Sequence, residues 1–175
     1  MMTTRRAADQ GDTDVTEAHR DIVLAGIASR PGRRRGPVAQ PAASRVLAPQ
    51  PESVRDARDF TRATLRRWGM AAVSDDAELV VSELVTNALR HGLCGSGAPG
   101  PDGGGPVVGL RLMFQAPHLI CMVTDPSREI PLRRDSDLLD ATGRGLCVIE
   151  SCSSRWGWRL LDGGGKVVWA LLPVE

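Results

Sequence analysis

Two apolar stripes of helical period are followed by two of strand period, and that order limits what this 175-residue chain can fold into. Val54, Ala57, Phe60, Thr61, Thr64, Leu65 and Trp68 fall on one side at about 100° per residue, and so do Ala77, Val80, Val81, Leu84, Val85 and Ala88. Val108, Leu110, Leu112 and Phe114 then alternate as in a half-buried strand, and Leu119 to Thr124 is almost continuously apolar. Each stripe needs an apolar partner, and a layer of helices on one sheet face supplies partners to all of them.

Punctuation fills in the rest. Arg45 to Ala48 is a strand candidate stopped by Pro49, and Pro51-Glu52 opens a helix because a first turn does not need the missing N–H. Gly69 closes that helix. Ser74 is placed to cap the next, with Asp75 and Asp76 favouring its positive end. Gly92 to Pro106 is a glycine- and proline-rich loop, Gln115 to His118 a turn, and Asp125 to Thr142 a long loop. Gly145 to Cys152 is a short helix, and Trp156–Leu161 with Lys166–Leu172 is a hairpin around Asp162-Gly163-Gly164-Gly165. The order β-α-α-β-β-α-β-β predicts an α+β two-layer sandwich, a mostly antiparallel mixed sheet with helices on one face. Residues 45–175 form that domain. Residues 1–44 are expected to be a flexible tail, with one periodic stretch of helical spacing over Asp14 to Ser29.

The 22 basic and 21 acidic side chains leave a net charge of +1, which excludes a strong global field for nucleic acid. Only Arg33 to Arg35 in the tail form a local basic cluster. The apolar run Ile22 to Ala28 is too short to span a bilayer, and no apolar segment follows Arg5-Arg6 as an export signal requires. Neither a membrane nor a direct nucleic-acid partner is expected. Cys94, Cys121, Cys147 and Cys152 lack the spacing of a metal site and are expected to be reduced, mostly buried thiols of a cytoplasmic protein.

Three places carry candidate chemistry. Glu83 and Asn87, four residues apart, point the same way from one helix, with His91 a further turn along the border of the buried stripe. Beside a phosphate site an amide oxygen can ligate Mg²⁺ while a carboxylate accepts a proton, although two polar border residues are also ordinary in an amphipathic helix. Asp125, at the end of the apolar strand, can accept a hydrogen bond from an exocyclic amine such as adenine's, or can simply begin an Asp-Pro turn. Gly143-Arg144-Gly145-Leu146 feeds a helix N-terminus, where bare backbone approaches a phosphate closely. Gly163-Gly164-Gly165-Lys166 ends like a P-loop, but Val167 stands where Ser or Thr is required, so it reads as a hairpin turn.

Taken in order, these blocks resemble the GHKL (Bergerat-fold) ATP-binding domains of gyrases, heat-shock chaperones and histidine kinases. Within that group the chain resembles the anti-sigma-factor serine/threonine kinases and their small single-domain bacterial relatives. The likeness rests on Ala57-Arg58-Asp59-Phe60, on Leu65 to Gly69, on Glu83 to His91, on Gly143 to Leu146, on Arg155-Trp156-Gly157 and on Lys166 to Trp169. It covers about residues 45–173.

The resemblance implies ATP with Mg²⁺ as the ligand. Glu83 would act as general base, Asn87 would hold the metal, and Asp125 would receive the adenine amine. Gly143, Arg144, Gly145 and Leu146 would form the phosphate-facing end of a lid, and His91 would pack rather than react. It also implies a sigma factor and a phosphorylated antagonist protein as partners, and a tendency to homodimerise. Two positions depart from the family pattern. Asp125 is followed by Pro126, Ser127, Arg128 and Glu129 instead of the glycines of D-x-G-x-G. Val167 stands where many members carry a threonine that reaches adenine through water, a loss of about three- to tenfold in affinity. Asp125→Asn is expected to lose nucleotide recognition with the fold intact. A kinase is the leading reading of function, and a non-catalytic ATP-binding interaction module is the alternative.

Overall fold

The computed structural model describes residues 40–92, 107–131 and 144–174. The expected helix over 14–29, the arginine cluster, Cys94, most of both long loops and Gly143 lie outside them. No helix among the described residues is long and apolar enough to cross a membrane.

The observed order is β1 (Ala42–Leu47), α1 (Ser53–Trp68), α2 (Ser74–Asn87), β2 (Val108–Gln115), β3 (His118–Asp125), α3 (Arg144–Cys152), β4 (Arg155–Leu160) and β5 (Lys166–Pro173). It reproduces the predicted sequence of elements. The five strands form one sheet in the order β1-β2-β3-β5-β4. All four pairings are antiparallel, so no parallel step of a mixed sheet occurs among the described residues. Strand β1 begins at Ala42, three residues earlier than its sequence pattern suggested, because Ala42, Ala43 and Ser44 pair with Met113, Leu112 and Arg111 of β2.

Helix α1 starts where the Ser53 hydroxyl donates to the Ala48 carbonyl at 2.7 Å. It ends at Gly69, whose φ of 74° lets its N–H return to the carbonyls of Leu65 and Arg66. Ser74 does not cap α2. It is already the first helical residue, after a single 3₁₀ turn over Ala71–Val73, and its hydroxyl donates to Glu78 Oε1 at 3.1 Å. That carboxylate, itself buried, is also held by the Arg62 guanidinium, with Nε 3.0 Å from Oε1, which ties α1 to α2. Beyond Asn87 the helix widens into a π turn over Ala88–Gly92.

The apolar stripe of α2 is buried throughout: Ala77, Val80, Val81, Leu84, Val85 and Ala88. It packs on β3 and β5, with α1 and α3 on its flanks. Strand residues of one parity, Leu110, Leu112, Leu119, Cys121, Val123, Val168, Ala170 and Leu172, share this helix-side core. Full burial of a leucine such as Leu112 is worth about 1.5–3 kcal/mol. The other parity, Met113, Ile120, Met122, Val167, Trp169 and Leu171, forms a second buried cluster.

Among the described residues the thiols are not mostly buried: Cys121 is buried, Cys152 intermediate and Cys147 exposed. Burial pushes the Cys121 thiol up to about 12, so it is protonated at neutral pH and unreactive. An alkylating reagent at pH 8 should therefore label Cys147 in the folded protein and reach Cys121 only after denaturant is added. Mass spectrometry of the two digests checks this, and labelling of Cys121 without denaturant would contradict the burial.

Candidate functional site

Glu83 and Asn87 lie on the half-buried border of α2, as the helical spacing requires. What they meet is the first turn of α3. A Cβ added to the buried Gly145 would come within 2.7 Å of Glu83 Oε2, 3.5 Å of Asn87 Nδ2 and 3.6 Å of its Oδ1. Three positions from two separate blocks of sequence thus converge, and the bare backbone at position 145 lies directly against the two polar side chains. The N-terminal turn of a helix presents free N–H groups and favours negative charge. A carboxylate, an amide and such a turn suit a polyanion with a divalent cation, the ion taking most of its oxygens from phosphate and water. Among the described residues no cluster of three or more His, Cys, Asp or Glu side chains forms.

Leu146 packs against the helix-side core and anchors the same turn. Arg144 is the first residue of α3. His91 is exposed, not packed, because the π turn that carries it departs from the α-helical register on which the packing expectation rested.

Asp125 ends β3 on the helix side of the sheet. Its carboxyl group fits against Gly92, where a Cβ would come within 2.6 Å of Asp125 Cγ. Gly165 is required on the other flank: its φ is 81°, and a Cβ there would approach the Asp125 carbonyl oxygen to 2.3 Å. The turn after the strand is held by Asp125 itself, since Oδ1 accepts the Ser127 N–H at 3.0 Å.

The partner that the sequence did not announce is Lys166. It lies directly across from Asp125 in the β3–β5 register, and its Nζ is 2.8 Å from Asp125 Oδ1. The side chains are 5% and 1% exposed. Burial pushes the Asp125 carboxyl above the usual carboxylate range, while the Lys166 ammonium and the Ser127 N–H pull it back. The separation is that of a charge-assisted hydrogen bond. Lys166 ends a segment that looks like a P-loop, yet it serves as the counterion of a strand-end carboxylate.

Val167 is not at the site. Alternation along β5 turns it to the second cluster with Met122 and Trp169, so the departure expected there falls on Lys166 instead. A separate groove, lined by Pro49, Pro51, Val54, Thr86 and Leu89 among others, contains none of these residues.

With this geometry in place, the comparisons agree. Residues 47–172, well over half of the chain, match the family described as Histidine kinase-like ATPase domain. The chain belongs to that family, and membership implies ATP binding. Its fold is similar to the crystal structure of the RsbU and RsbW domains of Rv1364c from Mycobacterium tuberculosis, with a TM-score of 0.51 at 19% identity. The match covers 77% of this chain and 32% of that one, about a third of its length. No curated protein matches.

The ion pair revises one expectation. Asp125→Asn would leave a nearly inaccessible ammonium without its counterion, and breaking a buried pair from one side costs about 3–5 kcal/mol. The substitution should therefore lower stability by roughly that amount and not leave the fold untouched. Lys166→Met should cost less, because a buried carboxyl can take up a proton and become neutral. The double variant should recover much of the Asp125→Asn loss. Chemical denaturation of the three variants measures this, and additive losses would mean that the pair is not coupled.

Proposed function

We propose that this chain is an ATP-dependent protein serine/threonine kinase of the anti-sigma type. In this reading it binds a sigma factor and phosphorylates a serine on a small antagonist protein, and phosphorylation decides which partner it holds. The observation that carries the reading is the convergence of Glu83 and Asn87 on the glycine at the start of α3. The likeness to a structure containing an RsbW domain supports the same class.

The roles follow from the chemistry of each group. Asn87 offers an amide oxygen to Mg²⁺, and Asp125 accepts from the exocyclic amine of adenine. Gly143, Arg144, Gly145 and Leu146 bring backbone N–H groups to the phosphates. Bound Mg-ATP supplies the phosphoryl group, and the ion screens its charge. Glu83 accepts the proton of the incoming serine hydroxyl. The hydroxyl oxygen then bonds to the terminal phosphorus as the bond from that phosphorus to the bridging oxygen breaks, with ADP leaving. In the alternative reading the nucleotide only organises a surface for partners, and Glu83 does no chemistry.

Glu83→Ala should keep Mg-ATP binding while phosphate transfer falls by about 10²–10⁴, the usual contribution of a positioned acid or base. Asn87→Ala should weaken Mg-dependent binding itself. Labelled ATP with candidate antagonist proteins reads the first, and calorimetry the second. A folded, ATP-binding Glu83→Ala protein that transfers at the parental rate sinks the assignment. Transfer by the parent to no partner, with ATP bound, replaces it with the interaction module.

Gly145→Ala separates the site from the scaffold. The added methyl meets the far end of the Glu83 side chain, and alanine favours a helix by about 0.8–1 kcal/mol over glycine, so stability should change little. ATP affinity should fall at least about tenfold, since the methyl fills the gap where a phosphate must approach. Calorimetry beside a thermal melt tests both halves, and unchanged affinity would remove Gly145 from the phosphate cradle.

A further inference from the structure

We propose that Lys166 is a second base-recognition residue of the nucleotide site, donating to the ring nitrogen N1 of adenine while Asp125 accepts from the neighbouring exocyclic amine. The inference rests on the nucleotide reading above and goes beyond it by naming what the base edge must offer.

Asp125 and Lys166 are cross-strand partners at one end of the sheet, on the face that also carries the helices. Gly165 brings the start of β5 so close to Asp125 that a Cβ there would collide with its backbone. Their side chains cannot be far apart, and they form a nearly inaccessible ion pair at 2.8 Å.

A neutral amine on a base is a weaker donor to a carboxylate than an ammonium group is. Displacing Lys166 would also leave a buried cation with no partner. Adenine therefore does not evict the lysine, and the base meets the ion pair whole. Both hydrogen bonds that reach the carboxylate from described residues land on Oδ1, one from Lys166 and one from the Ser127 N–H. An ammonium has three donors, and among the described residues only Asp125 accepts from Nζ. An acceptor oxygen and a cationic donor thus stand side by side. The adenine edge offers the complement, an N6 amine that donates next to an N1 that accepts.

The test compares ATP with 1-deaza-ATP, in which N1 is replaced by C–H, by calorimetry on the full chain with Mg²⁺ present. The parent should bind ATP about ten- to a hundredfold more tightly than 1-deaza-ATP. In Lys166→Met that ratio should collapse to within about twofold, and in Lys166→Gln, a neutral donor, to about three- to tenfold. If the methionine variant does not fold, the glutamine variant carries the comparison. A parent that binds both nucleotides equally overturns the role of Lys166 and leaves ATP binding standing. So does a variant that keeps the parental ratio, or one that binds ATP more tightly than the parent, which would make the lysine a competitor. A parent that binds neither nucleotide overturns the underlying reading as well.

Discussion

Helix α2 has to bury one face on β3 and β5 while α1 and α3 pack along its flanks, and almost everything else follows from that demand. The stripe from Ala77 to Ala88 occupies the face that meets the sheet. Glu83 and Asn87 are then left on its border, too close to the core to be fully solvated and too polar to join it. Tying α1 to α2 through Arg62 and Glu78 fixes one flank. On the other flank, Gly145 puts bare α3 backbone against Glu83 and Asn87. A site with polar side chains at a fixed distance from a helix N-terminus is thus a by-product of packing a three-helix layer on a sheet.

The second constraint is electrostatic. A carboxylate and an ammonium that are almost removed from water hold each other, since each would be costly to leave alone there. Glycines on either side, Gly92 and Gly165, let the backbone close in around the pair. The strand end therefore carries a fixed dipole of side chains, rigid because three chain segments define it. In the proposed reading, a base docking against it would meet directions already set.

Much of this was legible in the residues. Periods of 3.6 and 2 separate helix from strand because side-chain direction repeats with the backbone, and the element order followed from them. Gly69 was readable as a helix end because a left-handed φ is cheap only for glycine. Two of the errors share one cause, namely that local signals were overruled by distant partners. Ser74 has the chemistry of a cap, but a carboxylate one turn on, held by Arg62, claims its hydroxyl. Ala42 to Ser44 carry no strand signal of their own and are extended because β2 lies beside them. His91 was placed by extending an α-helical period through a segment that turns with a π period.

The sequence by itself determined which residues are apolar, how they repeat, and therefore that helices and an antiparallel sheet share a core. It also placed Glu83 and Asn87 on one side of one helix, since four residues make about one turn. Membership of the histidine kinase-like ATPase family follows from the same blocks. What only the tertiary structure decided is which side chains face each other across elements. Alternation says that Lys166 and Val167 point to opposite faces, but not which of them looks toward the helices. That depends on register, on Asp125 standing opposite Lys166 and not one residue away, and a slip of one residue would exchange the two. The register is set by hydrogen bonds between strands 41 residues apart at this point, and no local pattern in either strand encodes a partner at that distance.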